Sequence, residues 1–212
     1  MDPVSDRLVE PTSAMNEKNP LEQDVQALRL AAQAGDWDSC RNATQALLMR
    51  LPTHHAIRLT RDFVARRLPA FERQQPAVHW PRELLELVTA EAPASGERRW
   101  PDDEFPGPGG NSFAKAVDSL WNANLRREDA RQCTAELVDS LSRSIMAETD
   151  EHWGSSHPAE WALWYQLVWS DDYDPRMTAI QRAMASDPEV NRLGRAAWLE
   201  LADQLEAALR GG

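Results

Sequence analysis

The sequence predicts an all-α protein, with antiparallel helical hairpins packed as a bundle or short HEAT-like array of about eight or nine helices. Three observations carry this. Apolar residues recur at helical spacing through most of the chain, and Pro, Gly and Asp or Asn punctuation marks helix ends at short intervals. No segment shows the alternation of a half-buried strand. At 212 residues the chain fits one ordinary domain.

Residues 1–18 are polar, Pro-punctuated and aperiodic, and read as a disordered N-terminal tail before a single helical domain over 19–212. Asn19-Pro20 offers a cap with Pro in the first turn, followed by Leu21, Val25 and Leu28, and Gly35 closes that helix. Asp36 caps a second, with Trp37, Cys40, Thr44, Leu47 and Leu51 as its stripe. Pro52-Thr53 reads as a turn and cap before a third helix carrying Ile57, Phe63, Val64 and Leu68, which Pro69 kinks or divides. Pro81 opens a fourth at its first position. Together these form a helical half, 19–92.

Four Pro and four Gly between Pro93 and Gly110 mark a long connection, 93–110, to a second helical half over 111–210. There Asn111 or Ser112 is expected to cap a helix bearing Phe113, Val117, Leu120 and Trp121. Another starts near Glu128 and carries Cys133, Leu137, Leu141 and Ile145. HWGSSHP (152–158) reads as a turn, EWALWYQLVW as a helix, and Asp174-Pro175 and Asp187-Pro188 as the starts of the last two helices.

Composition narrows function. With 34 acidic and 23 basic residues the formal net charge is −11, which disfavours generic binding to nucleic acid or anionic membrane. Mean hydropathy is −0.59. No apolar run approaches the roughly 18 residues of a membrane span. The first residues lack the basic and apolar regions of a signal peptide, so a cytoplasmic location is expected. Cys40 and Cys133 lack a CxxC partner, so neither a disulfide framework nor a zinc knuckle is indicated.

Groups in a pattern able to carry chemistry are few. Adjacent His54 and His55 point about 100° apart on a helix and chelate poorly together. His152 and His157, near Glu148, Asp150 and Glu151, form the one cluster with ligand chemistry, set against a plain solvated turn. Ser170–Pro175 places three carboxylates within four positions, but without EF-hand spacing, and a helix end followed by the Asp174 cap explains it. There is no GxSxG elbow, and PGPGG (106–110) follows three acidic residues and no strand. Arg58, Arg61, Arg66, Arg67 and Arg73 make a short basic run without a recognition motif. No catalytic residue, metal or cofactor is assigned.

The most unusual stretch is 148–174. It holds Glu148, Asp150, Glu151, Glu160, Asp171, Asp172 and Asp174 and no Lys or Arg, together with Trp153, Trp161, Trp164, Tyr165, Trp169 and Tyr173. Trp161, Trp164, Tyr165 and Val168 share one helical face. Two readings are open: a central buried helix with acidic ends, or an acidic surface with aromatic anchors, the composition of a site for a basic protein.

Phe71-Glu72, Pro76, Pro81-Arg82 and Glu86 spell FExxxPxxxxPRxxxE. Over residues 71–86 this resembles a family of bacterial immunity proteins from polymorphic-toxin systems. The resemblance implies an all-α protein with this pattern between two packed helices. Read as structure, Phe71 anchors a helix end, Pro76 stops it, and Arg82 pairs with Glu86 or reaches back to Glu72.

The expectation is therefore a non-enzymatic, cytoplasmic immunity protein that binds a cognate basic toxin. Its expected contacts are Glu148, Asp150, Glu151, Trp153, Asp171, Asp172 and Tyr173, and neither nucleic acid nor membrane is expected as partner. The alternatives are a metal- or small-molecule-binding helical bundle using His152 and His157, or a scaffold subunit of a larger complex.

Overall fold

In the computed structural model, which describes residues 20–88, 105, 107–168 and 174–211, every regular element is an α-helix. The expected tail and most of the 93–110 connection lie outside these residues. Five helices precede the connection: α1 (Pro20–Ala34), α2 (Trp37–Leu48), α3 (Thr53–Ala65), α4 (Leu68–Gln74) and α5 (Trp80–Leu87). Five follow it: α6 (Gly110–Leu125), α7 (Ala130–Ser156), α8 (Pro158–Val168), α9 (Pro175–Ser186) and α10 (Pro188–Gly211).

Local chemistry sets many boundaries. Asp36 accepts the Ser39 N–H at 3.0 Å and caps α2, Asp129 accepts from Arg131 and Gln132 at α7, and Asp174 accepts from Arg176 at α9. Asp187 does the same for α10, taking the N–H groups of Glu189 and Val190. Gly35 ends α1 in the left-handed region, φ +72°. Pro69 divides the third helix: the chain turns at Arg66-Arg67 and restarts as α4.

Four boundaries differ from expectation. The cap of α3 is Pro52, with Thr53 already helical. Pro81 lies one position inside α5, which begins at Trp80. At α6 neither Asn111 nor Ser112 caps; Gly109 does, at φ +78°, because both side chains are engaged elsewhere. Asn111 Oδ1 accepts the Phe105 N–H at 2.9 Å, and Ser112 Oγ donates to Asp150 at 2.7 Å. The largest difference is at 152–156, expected as a turn and found as the last turn and a half of α7. Gly154 is retained in that helix because Pro108 and Trp161 close over it: a Cβ there would stand 2.6 Å from Pro108 Cβ and 2.9 Å from Trp161 Cδ2.

α7, about 40 Å long at 1.5 Å per residue, is the spine. It forms its most extensive contact with α6 and also packs against α10, α3, α2 and α8. One large core fills the space between these helices, including Leu28, Leu47, Ile57, Phe113, Leu141 and Leu201. Phe71 is buried beside Phe105 and Phe113, with ring centroids 5.3 and 5.0 Å away. At the end of α7 a second, small cluster centres on Trp153, Trp161 and Ile180 and holds α8 and α9 to the spine. No helix among the described residues is long and apolar enough to cross a membrane.

Candidate functional site

Four of the seven expected contact residues lie in the last turns of α7, and their surroundings correct the reading of this stretch as one acidic surface. Glu148 is half-buried and pairs with Arg67, the residue that precedes α4. Asp150 is 7% exposed, so it is an interior group. Its Oδ2 accepts from Ser112 in the first turn of α6, and burial pushes its pKa up to about 6, with the Ser112 hydrogen bond opposing. Trp153 is 2% exposed and stacks on His157, with centroids 4.9 Å apart and planes 16° apart. Neither Asp150 nor Trp153 can meet a partner at the surface of this fold.

Glu151 is half-buried beside a cavity of about 10 Å³, room for one water. Arg67, Gln74, Gly109 and Gly110 also line it. Burial lowers the Arg67 pKa, and the charges of Glu151 and Glu200 oppose that shift. Asp171, Asp172 and Tyr173 lie outside the described residues.

Other expectations are settled by pairing. The basic run on α3 and α4 is largely neutralised, Arg61 by Asp62, Arg66 by Glu200 and Arg67 by Glu148. Arg82 reaches back to Glu72 rather than to Glu86, in a two-pronged pair with both hydrogen bonds at 2.7 Å. His157 Nδ1 lies 3.2 Å from the Trp153 carbonyl. Among the described residues, no three His, Cys, Asp or Glu side chains converge as metal ligands. Cys40 and Cys133 are buried free thiols whose pKa values burial pushes up to about 12 and about 11.

A carboxylate cluster between α6 and α7 was not singled out from sequence. Asp118 and Glu136 have pKa values raised by burial, with Asp139 close enough to add repulsion. Asp139 accepts from Ser119 at 2.7 Å and from Arg143 at 2.6 Å, and Arg126 pairs with Glu136. Ser119–Asp139 and Arg126–Glu136 tie α6 to α7, and Arg143 braces Asp139 from within α7.

The remaining feature is α8. Its sequence, PAEWALWYQLV, contains two polar side chains, Glu160 and Gln166. A helix so apolar on all sides is normally enclosed, yet only Trp161 is buried. Leu163, Trp164, Tyr165 and Leu167 are half-buried; Ala159, Ala162 and Gln166 are exposed, and Val168 is 40% exposed. Sequence reasoning placed the aromatic face but passed over Leu163 and Leu167 on the opposite side. Leu163 packs on the Trp153, Trp161 and Ile180 cluster, and half-buried Leu167 is the apolar residue on that side outside it. Compared with family models, with curated proteins and with solved structures, the chain matches none.

Proposed function

We propose that this chain is a non-enzymatic protein-binding protein, most concretely a cytoplasmic bacterial immunity protein that neutralises a cognate toxin by stoichiometric binding. The observation that carries the reading is α8: the most apolar helix of the fold lies at its surface with one residue buried. Apolar helical surface of this kind is the raw material of a protein interface.

Charge supports a basic partner. The chain carries net −11, and 148–174 has seven carboxylates and no Lys or Arg. With Asp150 interior and Glu148 held by Arg67, the acidic part of the contact passes to Glu151 and Glu160, joined in sequence by Asp171, Asp172 and Tyr173. The immunity assignment itself rests on the sequence resemblance at 71–86, where Phe71 and the Glu72–Arg82 pair form a helical corner.

The test is reconstitution. The full chain, tagged and used as bait, is expected to retain one basic protein that is released by high salt. The purified pair should form a one-to-one complex by calorimetry, and co-expression should suppress the partner's toxicity. Replacing Asp171 and Asp172 with Lys should weaken the complex at low salt without unfolding the chain. A stoichiometric partner that stays fully toxic when co-expressed would overturn the immunity reading.

A further inference from the structure

We infer that α8 is inserted into a concave apolar cleft of the partner, rimmed by Lys or Arg, rather than laid against a flat surface or a second copy of this chain. The inference rests on the protein-binding reading above and specifies the shape and chemistry of what is bound.

The first argument is the distribution of side chains around the helix. At about 100° per residue, Ala159, Ala162 and Gln166 form an exposed crest. Half-buried Tyr165 flanks the crest on one side and half-buried Leu167 on the other, while Leu163 packs inward on the Trp153, Trp161 and Ile180 cluster. A flat partner would cover the small residues of the crest and leave both apolar flanks in water. A cleft places its floor on the crest, where the small side chains permit close approach, and its walls on Tyr165 and Leu167. This is the helix-in-groove mode of recognition with this chain supplying the helix.

The second argument is area. α8 has 11 residues, so its outward strip is about 16 Å long and 10 Å wide. One such strip per copy is far below the roughly 800 Å² per partner of a stable interface. A self-complementary contact of α8 on α8 therefore does not suffice, whereas enclosure on three sides multiplies the covered area and brings the cleft rim onto neighbouring elements.

The third argument is charge. Glu160 is exposed on α8 and Glu151 is half-buried near the end of α7, while neither α8 nor α7 beyond Arg143 carries a Lys or Arg. On α9, Arg176 is taken by Asp174 at 2.6 Å, which leaves Arg182 as an exposed cation beside the acidic groups of α8 and α7. A second copy would bring like charge against like on a chain of net −11, and a cationic rim reverses that sign.

The test uses the full chain with substitutions at exposed positions, so folding is retained and is checked by circular dichroism. Sedimentation of the chain alone should show a monomer; a dimer abolished by Ala162→Arg would overturn the inference in favour of a second copy. A benzoylphenylalanine photocrosslinker at position 162 should capture the partner through a cleft peptide containing Lys or Arg, while the same group at position 26 of α1 should not. In calorimetry with the captured, purified partner, Ala162→Arg and Gln166→Arg should each weaken binding by about 100-fold. Ala162→Leu, which adds bulk without charge, should weaken it by about tenfold in an enclosing cleft; unchanged or tighter binding means a flat contact and overturns the inference. Wild-type affinity in all three variants leaves the protein-binding reading standing and removes α8 from it. A wild-type chain that forms no complex removes both.

Discussion

Asp150 Oδ2 accepts a hydrogen bond from Ser112 Oγ at 2.7 Å, joining the spine helix to the first turn of α6 inside the protein. A carboxylate in this position is held neutral more readily than in water, hence its pKa near 6 against an ordinary value of 3.8. For an acid whose folded pKa is raised, the stability it contributes is complete below about pH 4 and is lost as pH rises through about 6. Asp150→Asn removes that titration and keeps an acceptor for Ser112. Urea unfolding should find the variant more stable than wild type at pH 7.5, by about 1–3 kcal/mol. The difference should shrink as pH falls below about 6 and disappear or reverse by about pH 3.5. A constant difference across this range would show that Asp150 does not titrate with folding.

Alanine normally stabilises a helix relative to glycine by about 1 kcal/mol. At Gly154 the sign should invert, because the added Cβ meets Pro108 at 2.6 Å and Trp161 at 2.9 Å. A loss of about 1–3 kcal/mol is expected, read as a fall in melting temperature. Gly109→Ala should cost more: its Cβ would stand 2.3 Å from the Ala147 carbonyl oxygen, and φ is +78°.

The cluster beneath α8 and α9 is small, so these helices should open without the rest of the fold. Amide hydrogen exchange is expected to be faster in α8 and α9 than in α6 and the first half of α7. Trp153→Ala removes the centre of that cluster and should cost about 3–5 kcal/mol locally. Trypsin cleavage after Arg176 and Arg182 should speed up before global unfolding is detected. Uniform exchange across all helices would contradict this division.

Both thiols are inside and strongly disfavour the thiolate. Native protein at pH 8 should react with Ellman's reagent only as fast as it opens, and both cysteines should react at once in denaturant. Fast labelling of either thiol in the native state would place it at the surface.

What the sequence made legible was what local chemistry decides. Asp36 and Asp174 cap their helices through groups two or three residues away, so their roles follow from spacing alone. Asn111 looked equally suited, but its oxygen is taken by Phe105, a partner that only the fold brings near. Ser and Gly at 154–156 carry the composition of a turn, and the helix persists there because Pro108 and Trp161 arrive from two other segments to cover Gly154. Glu148 and Asp150 are indistinguishable in sequence from solvated acids; Arg67 and Ser112, both distant in the chain, draw them inward. The aromatic face of α8 was readable as a face. The exposure of the side opposite that face was not, because it depends on how little of the neighbouring structure reaches Ala159, Ala162 and Gln166.

The placement of α8 and α9 on their own minor cluster bears on how such a chain diversifies. Substitutions on the outer side of α8 touch none of the residues that hold α1–α7 and α10 together. If α8 carries recognition as proposed, its outer side can be exchanged while the residues that build the main core stay as they are, so that a change of specificity and a change of stability fall on different parts of the chain.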